Sequence, residues 1–174
     1  MINAHIPILG FAAASGTGKT TLLTRLIPLL RQHGFRVGLI KHSHHSFEID
    51  KQGKDSFRLR EAGASPVMLI SRKRRAIITE FDVETEPRLA DQLRHIDQSK
   101  LDIILVEGFK SEPLPKIELH RGSLRQPLLY PDDTNIIAIA SDTPLNAPSH
   151  LEQLDINRPE LVANFIMQHF LNNK

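Results

Sequence analysis

Lys19 and Thr20 put an ammonium and a hydroxyl side by side inside a run of small residues, FAAASGTGKTTLL over positions 11–23. Small side chains let the backbone curl tightly and leave its N–H groups open. A curl of bare N–H groups is a receptor for phosphate oxygens. The run contains Ala13-x-x-x-x-Gly18-Lys19-Thr20, the Walker A spacing with Ala at the usual first Gly position. Ser15, Gly16, Thr17, Gly18, Lys19, Thr20 and Thr21 are therefore the candidate nucleotide-binding residues. Lys19 supplies a point charge to the β- and γ-phosphates and is also a catalytic candidate. Thr20 offers its hydroxyl to Mg²⁺. The bland alternative is a flexible Gly-rich turn.

A phosphate loop needs an acid to help hold the metal. LDIILVEGF places Glu107 directly after a nearly continuous apolar run. A carboxylate at a buried strand end is costly unless it is paired or near a metal. Glu107 is the metal-site candidate, acting directly or through water; the alternative is a carboxylate reaching solvent past the strand end. Asp102 sits at the start of that strand, away from the rim where open α/β sheets bind ligands. Asp142, in AIASD, follows another apolar run. It could accept from guanine N1–H and the 2-amino group, or simply start a turn before Thr143-Pro144.

Other chemistry-bearing residues cluster in KHSHH and GKDS. Lys41 and His42 follow an apolar strand on the same rim, where they could meet phosphate or an anionic substrate. His42, His44 and His45 raise zinc, but no acid or cysteine of clear ligand spacing accompanies them, so substrate contact and a polar loop stay open. Asp55 could orient a water or the metal shell, or could cap a helix. Arg72-Lys73-Arg74-Arg75 is a solvated turn or a docking patch for an anion.

The elements that must position these groups alternate. An apolar strand over 6–11 leads into the loop, a helix over 20–30 contains Pro28, and Gly34 stops it before a strand over 35–40. That is a βαβ unit. A short helix over 56–62, a hairpin from 67–70 and 76–79, and a helix over 87–96 follow. Strands over 101–106, 116–120 and 136–140 come next, then a closing helix over 158–171. Positions 117 and 119 of the strand over 116–120 are expected inward. The fold class is α/β: a P-loop NTPase-like three-layer fold, with a mostly parallel central sheet and helices on both faces, as one domain over 1–174.

The 174 residues suit one domain that buries a real core. Cysteine is absent, which excludes a disulfide framework and makes a reducing compartment the easy reading. The start lacks the features of a signal peptide, and no apolar run approaches ~20 residues. The expected location is cytoplasmic, with no membrane contact. A net charge of +2 does not argue for nucleic acid.

Taken together, FAAASGTGKTTLLTRLIPLL, GLIKHSHH, GKDSFRLREAGA, LDIILVEGFK, KIELHR and IIAIASDTPLN resemble the molybdopterin-guanine dinucleotide biosynthesis adapter family, MobB, through almost the whole chain. The segment over 65–99 carries less of the resemblance. It implies a GTP-binding, Mg²⁺-dependent protein with at most weak GTPase activity, working as a homodimer. The implied partner is the guanylyltransferase MobA, which joins GMP to molybdopterin. By position, Gly16, Gly18, Lys19 and Thr20 would bind phosphate and magnesium, and Glu107 would complete the metal site. Lys41, His42, His44 and His45 would suit the phosphate of molybdopterin or its guanine dinucleotide. Two rivals are a P-loop small-molecule kinase or ATP-dependent ligase, and a non-catalytic interaction module.

Overall fold

The apolar run ILGFA forms a strand whose every residue is buried. The computed structural model describes residues 4–43 and 47–171. In chain order its main elements are β1 (Ile8–Ala12), α1 (Lys19–Gln32), β2 (Val37–Lys41), α2 (Asp55–Glu61), β3 (Val67–Ile70), β4 (Arg75–Ile78), α3 (Leu89–Gln92), β5 (Ile103–Glu107), β6 (Lys116–His120), β7 (Ile136–Ser141), β8 (Glu152–Asp155) and α4 (Pro159–Ile166). They fall into two compact units, Met1–His42 with Arg88–Lys174, and Ser43–Pro87.

The larger unit is an α/β sandwich. Its six strands run in the order β2-β5-β1-β6-β7-β8, and every ladder is parallel. Parallel strands covered on both faces read as continuous apolar runs, and β5 (IILVE) is buried throughout. On one face α1 packs Leu22, Leu23, Leu26 and Leu30 against Leu9, Phe11 and Leu105, beside Val162, Phe165 and Ile166 of α4. On the other face Leu89 and Leu93 cover Ile8, Ile104 and Val106.

Helix α1 begins one residue earlier than expected and continues helical through Pro28 to Gln32. It closes in a Schellman arrangement: Gly34 N–H donates to Arg31 C=O (3.0 Å), Phe35 N–H to Leu30 C=O (3.1 Å), and Gly34 holds φ +88°. The helix expected over 87–96 is shorter, a single turn of α3 followed by a 3₁₀ turn over Leu93–His95. The closing helix ends at Ile166 and continues as a π turn over Met167–Leu171.

Strand β6 departs from simple alternation. Lys116 and Glu118 are as buried as Ile117 and Leu119. Both charged residues find partners: Lys116 Nζ lies 2.8 Å from Asp133 Oδ2, and Glu118 accepts from the N–H groups of Leu129 (2.7 Å) and Tyr130 (2.9 Å). Just before the start of β5, Asp102 accepts from Arg36 N–H (2.7 Å), Nε (3.1 Å) and Nη2 (2.9 Å). Asp102 is thus a structural anchor.

In the smaller unit, β3 and β4 form the expected antiparallel hairpin, with Met68 opposite Ile77 and Ile70 opposite Arg75. The cluster Arg72-Lys73-Arg74 makes its exposed turn. Arg60 of α2 joins Glu48 (2.8 Å) to Glu80 (2.6 Å) and lies over the Phe57 ring. Asp55 is the first helical residue of α2; Lys54 holds the cap position, and no side chain caps that end. Met68, Ile70 and Ile77 expose large apolar side chains. Among the described residues no helix is long and apolar enough to cross a membrane.

Candidate nucleotide site

The loop between β1 and α1 is a cradle. Gly16 (φ +78°) and Gly18 (φ +102°) both take left-handed conformations, which free the chain to coil before the helix starts. Thr17 turns its side chain inward, donating Oγ1–H to Ala14 C=O at 2.9 Å, so it contributes through its backbone. Lys19 Nζ donates to Ala13 C=O (3.2 Å) and Ala14 C=O (3.1 Å), which holds the ammonium back over its own loop. Ser15, Gly16, Gly18, Lys19, Thr20, Thr21, Lys41 and Glu107 line one open cleft of about 420 Å³.

Sheet order explains why these residues meet. Strand β5 lies between β1 and β2, with Glu107 in register with Phe11 on one side and Lys41 on the other. Parallel strands end together, so Glu107 and Lys41 emerge on the rim where the phosphate loop begins. Glu107 is buried, and Lys41 Nζ sits almost evenly between its oxygens, 3.4 Å from Oε1 and 3.3 Å from Oε2. Gly108 then turns the chain at φ +102°, close against the His42 carbonyl, while His42 N–H donates to Glu107 C=O at 2.8 Å.

The cleft is cationic. Burial holds the Lys19 ammonium below its ordinary pKa; Glu107 opposes that shift, and Lys110 and Lys41 add to it. Two ammonium groups, Lys19 and Lys41, line the cleft with one carboxylate, Glu107, a balance that favours an anion there. Thr20 and Glu107 present hard oxygen donors, the set Mg²⁺ prefers when phosphates and waters complete its shell. Among the described residues no group of three or more His, Cys, Asp or Glu could hold a metal ion. His42 stands beside Phe109 with ring centroids 5.0 Å apart. His44 and His45 lie outside the described residues.

Asp142 is placed on the other side of β1. Its Oδ1 accepts from Gly122 N–H (3.0 Å) and its Oδ2 from Arg121 Nη1 (3.3 Å). The Gly122 N–H, helped by Arg121, holds its carboxyl below the usual carboxylate range. Arg121 also donates Nε–H to Thr17 C=O at 3.0 Å, tying the phosphate loop to the end of β6. Sequence reasoning gave Arg121 no role. Its one signal was its place directly after the strand KIELH. Asp55 belongs to the smaller unit.

A family model described as "Molybdopterin guanine dinucleotide synthesis protein B" matches residues 8–142, from the first strand to Asp142. The "Molybdopterin-guanine dinucleotide biosynthesis adapter protein" of Escherichia coli (strain K12) is 51% identical over 164 residues, 94% of this chain and 93% of that protein. The protein of the same description from Haemophilus influenzae is 47% identical over 173 residues, covering 97% and 94%. Among solved structures, one described as molybdopterin-guanine biosynthesis protein B superposes with a TM-score of 0.71 at 25% identity, covering 92% of this chain and 98% of that one. The phosphate loop, the strand-end acid and these full-length likenesses agree: the chain belongs to the molybdopterin guanine dinucleotide synthesis protein B family.

Proposed function

We propose that this chain is a GTP-binding adapter that assists the attachment of GMP to molybdopterin, with at most weak GTPase activity. The observation that carries the reading is the convergence of Lys19, Thr20 and Glu107 with Ser15, Gly16 and Gly18 of the loop on one cleft. In it, Ser15 to Thr21 hold the phosphates, Lys19 leaves its own loop carbonyls for the β- and γ-oxygens, and Asp142 meets the base. Thr20 and Glu107 would hold Mg²⁺, which would supply charge neutralisation to the phosphates. Lys41 and His42 face the anionic partner, molybdopterin or its guanine dinucleotide. Asp55 is assigned to hydrolysis alone, so Asp55→Asn lowers turnover and leaves affinity unchanged.

The same proposal takes the chain as one functional domain, cytoplasmic, homodimeric, and serving the guanylyltransferase MobA. The outward Met68, Ile70 and Ile77 of the hairpin support contact with another protein.

Isothermal titration of GTP and ATP, with and without Mg²⁺, tests the reading. GTP binds in preference to ATP, and Lys19→Ala removes a charge-assisted contact of about 1.5–3 kcal/mol, roughly a tenfold to 150-fold loss. Equal displacement of a GTP analogue by ATP and GTP would instead favour a kinase or ligase.

A further inference from the structure

Arg121, Asp142 and Asn157 follow three neighbouring strands, β6, β7 and β8, on the side of β1 away from Glu107. Lys19, Thr20 and Glu107 would fix the terminal phosphates on the β5 side. A nucleotide so held carries its nucleoside over the ends of β6 to β8.

Arg121 organises that rim. Its Nη1 and Nη2 both donate to Asn157 Oδ1 at 3.3 Å, and Nη1 also donates to Asp142 Oδ2. A guanidinium has donors only. Asn157 must therefore turn its oxygen toward Arg121 and its amide nitrogen away, toward solvent. Asp142 keeps spare lone pairs on both oxygens, because each accepts a single bond from Arg121 or Gly122. The rim thus offers an ionised acceptor pair beside a free N–H₂ donor, and the Arg121 bond to Thr17 C=O ties both to the phosphate loop.

Guanine presents the complement on one edge: N1–H and the 2-amino group as donors, O6 as acceptor. Adenine in the same place turns a lone pair toward the carboxylate and an amine toward the amide nitrogen. We propose that Asp142 and Asn157, fixed as a pair by Arg121, select guanine: Asp142 accepts from N1–H and the 2-amino group, and Asn157 donates to O6. Arg121 is a positioning residue. This rests on the phosphate-loop reading and extends it from a single acid to a two-residue code.

Base analogues test it by equilibrium titration with Mg²⁺. The unaltered protein binds inosine triphosphate, which lacks the 2-amino group, about tenfold more weakly than GTP. Asp142→Asn exchanges an acceptor for a donor. It weakens GTP at least tenfold and strengthens xanthosine triphosphate, which carries a carbonyl at that carbon, at least tenfold. Asn157→Ala weakens GTP and inosine triphosphate alike, with no gain for xanthosine triphosphate. Arg121→Lys erodes the GTP:ATP ratio more than the affinity for inorganic triphosphate. Equal affinity of the unaltered protein for GTP and inosine triphosphate overturns the proposal without needing any variant. An unchanged GTP:xanthosine triphosphate ratio in Asp142→Asn overturns it as well. Either result leaves the phosphate loop standing, whereas loss of all triphosphate binding by the unaltered protein overturns both.

Discussion

Replacing Gly108 by Ala strikes the joint between Glu107 and the neighbouring strand. A Cβ built there falls 2.6 Å from the His42 carbonyl oxygen and 3.0 Å from His42 Cβ, at a residue whose φ is +102°. The left-handed backbone alone costs an L-residue about 1–2 kcal/mol. The carbonyl is main chain, so relief requires β2 to lift away from β5. That breaks the His42 N–H bond to Glu107 C=O, worth about 1 kcal/mol. A total of roughly 2–3 kcal/mol follows. Gly34→Ala is the control: its φ is +88°, and nothing lies within 4 Å of its added Cβ. It should lose only the backbone part. Urea unfolding measures both losses, and titration with Mg·GTP reads the site. Gly108→Ala should weaken Mg²⁺-dependent binding, because Glu107 and Lys41 share that joint; Gly34→Ala should not. Equal destabilisation by the two variants would refute the steric argument, and unchanged Mg·GTP affinity in Gly108→Ala would refute its link to the site.

Three further outcomes separate structural from ligand-binding acids. Glu107→Gln leaves the fold near its original stability and shrinks the ratio of GTP affinities measured with and without Mg²⁺. Asp102→Asn does the reverse: it takes the carboxylate from its three Arg36 hydrogen bonds and lowers stability in urea unfolding, while nucleotide affinity holds. Burial raises the Glu118 carboxyl above its ordinary 4.5 despite the N–H bonds from Leu129 and Tyr130. The folded state then binds this proton more tightly than the unfolded chain. The stability that Glu118 adds is full below 4.5 and is lost as pH rises through its raised value. Across that window wild-type stability measured against Glu118→Gln should fall with increasing pH; a constant difference refutes it.

The phosphate loop and Glu107 were legible because their signals are local: a fixed spacing of small residues and Lys, and an acid ending an apolar run. Lys41 could be placed on the same rim for the same reason. Arg121 and Asn157 were not legible, since their meeting depends on β6, β7 and β8 lying side by side, and strand order is not written in any one segment. Strand β8, EQLD, was missed because only Leu154 of its four residues is buried. Lys116 and Glu118 were misplaced outward because alternation assumes one wet face. In this sheet both faces are covered, and the segment after β6 supplies their partners. Asp55 was placed one residue out of register, a cap instead of the first residue of its helix.

The contact between Lys41 and Glu107 gives the buried carboxylate a counter-charge of its own. If Glu107 serves Mg²⁺ as proposed, taking the ion away would strand no uncompensated anion in the protein interior. On that reading folding would not wait on ion capture, and chelation should leave the urea-unfolding midpoint of the chain unmoved.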